Sequence, residues 1–357
     1  MKLPSLKIGD LVAEIPIIQG AMGVGISLSK LASAVANEGG IGVISGVQIG
    51  FDEPDFELNT SQANIRALRK HIQRARELSP KGILGVNLMV AINNYKEMVK
   101  AAVEEKIDII ISGAGLPLNL PSMVRGSKTK IAPIVSSGKA AALITKVWDK
   151  RFKYIPDFII VEGPEAGGHL GFTKEELKNT KSPKLESIVQ QVMEVIKPYE
   201  EKYKRPIPII AAGGIFDGLD IAKYIKMGIA GVQMGTRFVP TIECDAHKNF
   251  KEAYINSKEQ EIDLVRSPVG MMGRAIHNKF INRLEDKPVK IEKCYNCLRP
   301  CDPKKAPYCI SKALINAVRG NIDNGLIFAG SSAYRVNKIT SVSELMAKLV
   351  QEAQCAL

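Results

Sequence analysis

Asp157-Phe-Ile-Ile-Val161, followed by Glu162-Gly-Pro-Glu-Ala-Gly-Gly-His-Leu-Gly171, is the stretch that decides how this chain is read. Its first half is short, apolar and β-branched, the pattern of a strand buried on both faces of a parallel sheet. Its second half has almost no side-chain bulk. Gly163, Gly167 and Gly168 let the backbone take positive φ or pass close to a planar ligand. His169, flanked by Glu162 and Glu165, then stands beyond the carboxyl end of a strand, where α/β folds place their chemistry.

Similar apolar runs recur before and after it. They lie at Ile15–Ile18, Ile41–Ile44, Ile83–Asn87, Ile107–Ile111, Ile131–Val135, Asp157–Val161, Ile207–Ala211 and Gly231–Met234. Amphipathic stretches separate most of them: Leu28–Asn37, Asn64–Leu78, Tyr95–Glu105, Lys139–Trp148, Leu185–Lys204 and Leu219–Met227. In the fourth connection Pro117 and Pro121 leave room only for a short helix. Strand-helix alternation implies parallel pairing by right-handed crossovers, and eight units predict a closed (β/α)8 barrel. A doubly wound open sheet is the alternative, but Gly20-Ala-Met-Gly-Val-Gly25 lacks the Gly-x-Gly-x-x-Gly spacing common in that class.

Two connections are long, Gly46 to Ala63 and Gly163 to Lys184, and insertions there fall on the catalytic face. Phe250–Ser257 reads as the last barrel helix. The expected division is residues 1–265 as barrel and 266–357 as a carboxy-terminal extension packed on it.

The 357 residues, 45% hydrophobic, are enough for one large α/β domain or two smaller ones. No apolar run approaches the ~20 residues of a membrane span, and the amino terminus has no secretory pattern, so a cytoplasmic location is expected. The net charge of +12 raises the question of nucleic acid. Lysines and arginines are spread along helices and interleaved with glutamates, without a recognition motif, so a solvated basic surface that attracts anionic substrates is the better account.

Ala211-Ala-Gly-Gly-Ile215 follows the seventh apolar run, and Gln233-Met-Gly-Thr-Arg237 follows the eighth. Loops at these two positions of a barrel commonly cradle a phosphate through backbone N–H groups, a task suited to Gly213, Gly214, Gly235 and Thr236.

Together with Gln19-Gly-Ala-Met22, Gly85-Val-Asn-Leu88, Val135-Ser-Ser-Gly138 and Glu162 to His169, these motifs resemble the nitronate monooxygenases, formerly 2-nitropropane dioxygenases. The related flavin-dependent enoyl-acyl-carrier-protein reductase II shares the pattern, from about Ile15 to Arg283. The resemblance implies a TIM barrel holding FMN. It places Gly20, Ala21 and Met22 along the flavin ring, Asn87 at its polar edge and Ser136 beside it. Glu162, Gly167, Gly168, Ala212, Gly213, Gly214, Gln233, Met234, Gly235 and Thr236 complete the cofactor site, with His169 as the catalytic residue. His71, His247 and His277 lie elsewhere in the pattern and are expected to be dispensable.

Two chemistries follow from the resemblance: oxidation of an alkyl nitronate by dioxygen to a carbonyl compound and nitrite, or NAD(P)H-dependent reduction of an enoyl chain delivered by acyl-carrier protein. A flavoprotein without turnover would leave His169 unexplained. One array stands outside the reductase pattern, Cys294-x2-Cys297-x3-Cys301-x7-Cys309. Four such thiols enclose zinc, ligate an iron–sulfur cluster, or stay as reduced structural cysteines.

Overall fold

The computed structural model describes residues 2–178, 183–268 and 270–357. A two-stranded antiparallel hairpin comes first, β1 (Leu6–Ile8) and β2 (Leu11–Ala13). Then β3 (Ile17–Gln19), β4 (Ile41–Ser45), β5 (Ile83–Met89), β6 (Ile109–Gly113), β7 (Lys130–Val135) and β8 (Ile159–Glu162) pair in sequence, all parallel. A short strand, β9 (Gly168–Leu170), stands apart from them. β10 (Ile209–Ala212) joins β8, β11 (Gly231–Met234) joins β10, and β11 pairs with β3 to close an eight-stranded barrel. The expected (β/α)8 architecture is present.

Side chains alternate about the barrel wall. Ile18, Ile41, Val43, Ile109, Ile111, Ile160 and Ile210 fill the interior, and the hairpin residues Leu6, Ile8 and Ala13 pack into the same cluster, plugging the amino end. Their neighbours Ile17, Ile44, Ile110, Ile159 and Val161 face the helices. This period of two is what a strand imposes. Two carboxylates help fix the register: Asp108 Oδ2 accepts from Leu84 N (2.9 Å), and Asp157 Oδ2 from Ile131 N (2.8 Å).

The helices are α1 (Ser29–Asn37), α2 (Thr60–Leu78), α3 (Tyr95–Glu104), α4 (Leu120–Met123), α5 (Gly138–Phe152), α6 (Lys174–Lys178), α7 (Leu185–Tyr203) and α8 (Gly218–Lys226). α4 is as short as its prolines require. Part of the long connection after β8, residues 179–182, lies outside the described residues.

Beyond β11 come α9 (Lys248–Ile255), an antiparallel pair β12 (Ile262–Arg266) and β13 (Met272–Ile276), α10 (Lys279–Asp286), α11 (Ile310–Val318) and α12 (Val342–Ala356). The helix expected at 250–257 is α9, but the helix that flanks both α8 and α1 is α12. Two glycines admit it. A Cβ on Gly218 would lie 2.3 Å from Ala353 N, and one on Gly40 would lie 3.0 Å from Met346 Cε. A capping box starts α12, with Ser341 accepting from Glu344 N (3.1 Å). The carboxy-terminal helix thus completes the ring around the barrel.

Leu349 of α12 is fully buried. Leu349→Ala is expected to lower stability by about 2–5 kcal/mol, the usual cost of a large-to-small core change. Urea denaturation measures this, and a loss within about 0.5 kcal/mol, typical of surface positions, would show that α12 is not part of the cooperative core.

Candidate active site

The carboxyl ends of the barrel strands open into a cavity of about 270 Å³. Gly20, Ala21 and Met22, just after β3, form one wall, and Asn87 of β5 another. Glu162, Gly167, Gly168 and His169 come from β8 and the loop after it, while Ala212, Gly213, Gly214, Gln233, Met234, Gly235 and Thr236 come from the ends of β10 and β11. Ser136 is not among the lining residues; it packs against Gly171, whose Cβ would lie 2.4 Å from the Ser136 Oγ.

Backbone shape explains the glycines that matter most. Gly213 and Gly214 have φ of +91° and +81°, and Gly168 has +79°, all in the left-handed region that side chains avoid. A Cβ on Gly168 would meet nothing within 4 Å and would project into open space. Gly167 is needed for a different reason: its Cβ would lie 2.5 Å from the carbonyl carbon of Ala329.

That contact identifies residues which local sequence reading missed. Phe328, Ala329 and Gly330 line the same cavity, although about 160 positions separate them from the histidine loop. A Cβ on Gly330 would sit 2.7 Å from Thr236 Oγ1, so this segment meets the loop after β11. Ser331 N donates to Glu165 O (3.1 Å). Gly330-Ser-Ser-Ala333 is a run of small residues, a weak signal without its partner loops.

His169 does not stand on a free loop. It belongs to β9, which pairs antiparallel with β13, His169 opposite Gly273. Its Nε2 bonds Ser267 Oγ (2.7 Å), and its ring meets Phe328 edge-on with centroids 5.2 Å apart. Arg274 of β13 clamps the preceding turn, donating from Nη1 to the carbonyls of Pro164 (2.5 Å) and Ala166 (2.9 Å). Ser267 and Arg274 are positioning residues invisible to motif reading.

The electrostatics are those of a dry site. Burial pushes the His169 imidazole down to about 4, so it is neutral at physiological pH. The same cause pushes the Glu162 carboxyl up to about 7. With Nε2 committed to Ser267, Nδ1 is the ring nitrogen left to exchange a proton with a ligand.

Comparison with known proteins agrees with this architecture. The family model described as nitronate monooxygenase matches residues 5–352. The chain belongs to the nitronate monooxygenase family. A probable nitronate monooxygenase of Staphylococcus aureus strain Newman is 28% identical over 287 residues, covering 76% of this chain and 78% of that one. The structure of FabK from Thermotoga maritima superposes with a TM-score of 0.73 at 26% identity, covering 95% of this chain and 93% of that one. The nitroalkane oxidase of Streptomyces ansochromogenes has a TM-score of 0.74 at 20% identity, with 96% of both chains covered, a likeness of fold. The protein is an oxidoreductase of this family.

Of the alternatives left open for the cysteines, a metal site is not shown. Among the described residues no group of three or more His, Cys, Asp or Glu side chains is arranged to hold a metal, and Cys294, Cys297, Cys301 and Cys309 are free thiols. The four thiols lie near enough to influence one another, since Cys301 and Cys309 contribute to raising Cys297, and Cys294 contributes to raising Cys301 and Cys309. Cys294 is exposed, Cys309 starts α11, and Cys297 lines the active-site cavity. Burial pushes the Cys297 thiol up to about 11 and also raises Cys301 and Cys309.

The lowered His169 basicity can be read directly. In an NMR pH titration, with His169→Gln assigning the resonance, the ring is expected to stay neutral from pH 8 to about 5 and to protonate only near 4. A midpoint at the ordinary value near 6.5 would mean that the ring is solvated.

Proposed function

We propose that the protein binds FMN and oxidises alkyl nitronates with dioxygen, yielding a carbonyl compound and nitrite. The observation that carries this reading is a half-buried, neutral histidine on the wall of a cavity whose other sides include Gly20, Ala21, Gly213, Gly214 and Gly235. The surrounding residues fit the cofactor. Gly213, Gly214, Gly235, Thr236 and Gly330 meet at one rim, where the absence of side-chain bulk lets backbone N–H groups approach a phosphate. Gly20, Ala21 and Met22 would lie along the ring, and the amides of Asn87 and Gln233 would meet its polar atoms.

When bound, FMN supplies redox chemistry that no side chain offers. The chain itself orients the substrate, excludes water and handles protons. A neutral nitroalkane loses its α-proton to His169 Nδ1, while Ser267 holds the opposite nitrogen and fixes the ring plane. A preformed nitronate needs no such step. Glu162 in its protonated form keeps negative charge away from an anionic substrate.

A second reading is NAD(P)H-dependent reduction of an enoyl thioester carried by acyl-carrier protein. The likeness to FabK over 95% of the chain and the net charge of +12, suited to an acidic carrier, favour it.

Purified protein is expected to be yellow and to release FMN on heating, identified by mass. Propyl-2-nitronate should then give nitrite with oxygen uptake and no need for nicotinamide. Thioester-dependent oxidation of NADH or NADPH without nitrite would select the reductase instead. His169→Ala is expected to retain flavin and to lose ~10²-fold or more in turnover of a neutral nitroalkane. Because an unprotonated base is required, kcat/KM for that nitroalkane should stay level as pH falls to about 5, then drop as His169 titrates near 4.

A further inference from the structure

Cys294, Cys297, Cys301 and Cys309 take no part in the proposed chemistry, yet they gather at the edge of the active-site cavity. Cys297 is half-buried and lines that cavity, as do Leu298 beside it and Ile310, Ser311 and Leu314 of α11. Cys309 immediately precedes α11 and is also half-buried.

Both cysteines stand on held backbone. The segment carrying Cys297 is fixed to the connections after β4 and β5. Tyr295 stacks on Phe56 with centroids 5.4 Å apart, Asn93 N donates to Cys297 O (3.2 Å), and Arg299 N donates to Ala91 O (2.9 Å). On the other side, Ala313 N donates to Cys309 O (3.0 Å), and the Tyr308 ring meets Phe280 edge-on at 5.3 Å.

The thiols act on one another across this junction. Burial is the largest cause raising Cys297, and among the neighbouring thiols Cys309 adds more to it than Cys301 does. Ser311 acts on both sulfurs: its side chain favours the Cys297 thiolate, and its backbone favours the Cys309 thiolate. One residue therefore lies close to the two of them. Cys294 is engaged within its own turn, where Asn296, at φ of +47°, donates from its N to Cys294 Sγ (3.4 Å).

We infer that Cys297 and Cys309 are an oxidisable pair, which hydrogen peroxide joins into a disulfide that staples the start of α11 to the segment forming this wall of the cavity. The bond forms beside the ligand space and not on a remote surface, because Cys297 and Ser311 both line it. The oxidation balances with one peroxide. Two S–H bonds and the O–O bond break, one S–S bond forms, and the two electrons lost by the sulfurs leave two waters. Attack begins at Cys309. Burial raises its thiol, but the backbone of Lys312 and Ser311 and the Lys312 charge oppose that rise, and a helix amino terminus favours the reactive thiolate. Cys309 becomes a sulfenic acid and releases hydroxide, which takes up the proton that Cys309 had given up. The Cys297 thiol then displaces water from the sulfenic acid. Neither flavin nor substrate enters these steps, so the inference stands apart from the nitronate reading.

The test uses the full chain, reduced, freed of reductant and exposed to hydrogen peroxide before the remaining thiols are alkylated with iodoacetamide. Chains running as monomers on a non-reducing gel are digested with trypsin. Residues 294–304 then carry Cys294, Cys297 and Cys301, since Pro300 protects the bond after Arg299, while residues 306–312 carry Cys309. Mass spectrometry is expected to find these two peptides linked in most chains and parted by dithiothreitol, with fragmentation placing the bond on Cys297. Cys297→Ser and Cys297→Ala should each abolish the link, and Cys294→Ser and Cys301→Ser should keep it.

Mapping on the natural sequence decides the matter even where a variant fails to fold. No linked peptide, a bond placed on Cys294 or Cys301, a link found only between chains, or one that survives both Cys297 substitutions overturns the inference. Stoichiometric zinc or iron in protein prepared anaerobically overturns it as well, because the thiols would then be ligands.

Discussion

The antiparallel pairing of β9 with β13 is the constraint on which the site depends. A loop of Gly163, Pro164, Gly167 and Gly168 has little structure of its own, and a histidine carried on it would sample water. Pairing His169 opposite Gly273 converts that loop into an edge of a three-stranded sheet. The same strand brings Arg274 onto the carbonyls of Pro164 and Ala166. Ser267 and Phe328 then hold the ring from its two sides. The carboxy-terminal third therefore lines and braces the candidate site.

Close backbone approach is the second requirement, and it explains why small residues cluster where three distant segments meet. Gly167 abuts the Ala329 carbonyl carbon, Gly330 abuts Thr236, and Gly213 abuts the turn at Gly163 and Ala166. A methyl group at Gly167 would collide with main chain, and one at Gly330 or Gly213 would force Thr236 or the turn to shift. A rim assembled this way exposes main chain instead of side chains. Its hydrogen-bonding capacity is then set by geometry that substitution of neighbouring residues changes little.

The barrel was legible because each strand is a β-branched run, and the displaced boundaries have physical causes. Ile15 and Ile207 precede Pro16 and Pro208, which have no N–H to give a ladder, so β3 and β10 start one residue later. Asp108 and Asp157, just before β6 and β8, bond neighbouring strands through backbone (Lys130 N to Asp108 O, 2.8 Å; Asp157 N to Ile131 O, 3.1 Å) and carboxylate alike. The cavity residues after β3, β8, β10 and β11 were legible because their glycine patterns are local. Ser267, Arg274 and Gly330 were not, since nothing nearby in sequence says which loop they meet. Period alone likewise marks α12 as amphipathic without revealing that its apolar face lies against α8 and α1. The cysteine spacing was plain, but spacing alone does not decide between ligated and reduced thiols.

One physical cause, burial without a compensating charge, moves two ionisable groups of the cavity in opposite directions. It lowers His169 to about 4 and raises Glu162 to about 7. Both shifts favour the uncharged form. Arg274 could have offset this had it faced the cavity, but its Nη1 is engaged by two carbonyls of the turn. Near neutral pH the site therefore holds an unprotonated base and a carboxyl that can carry its proton. A substrate entering as an acid can surrender a proton to His169, and one entering as an anion brings the dominant local charge with it.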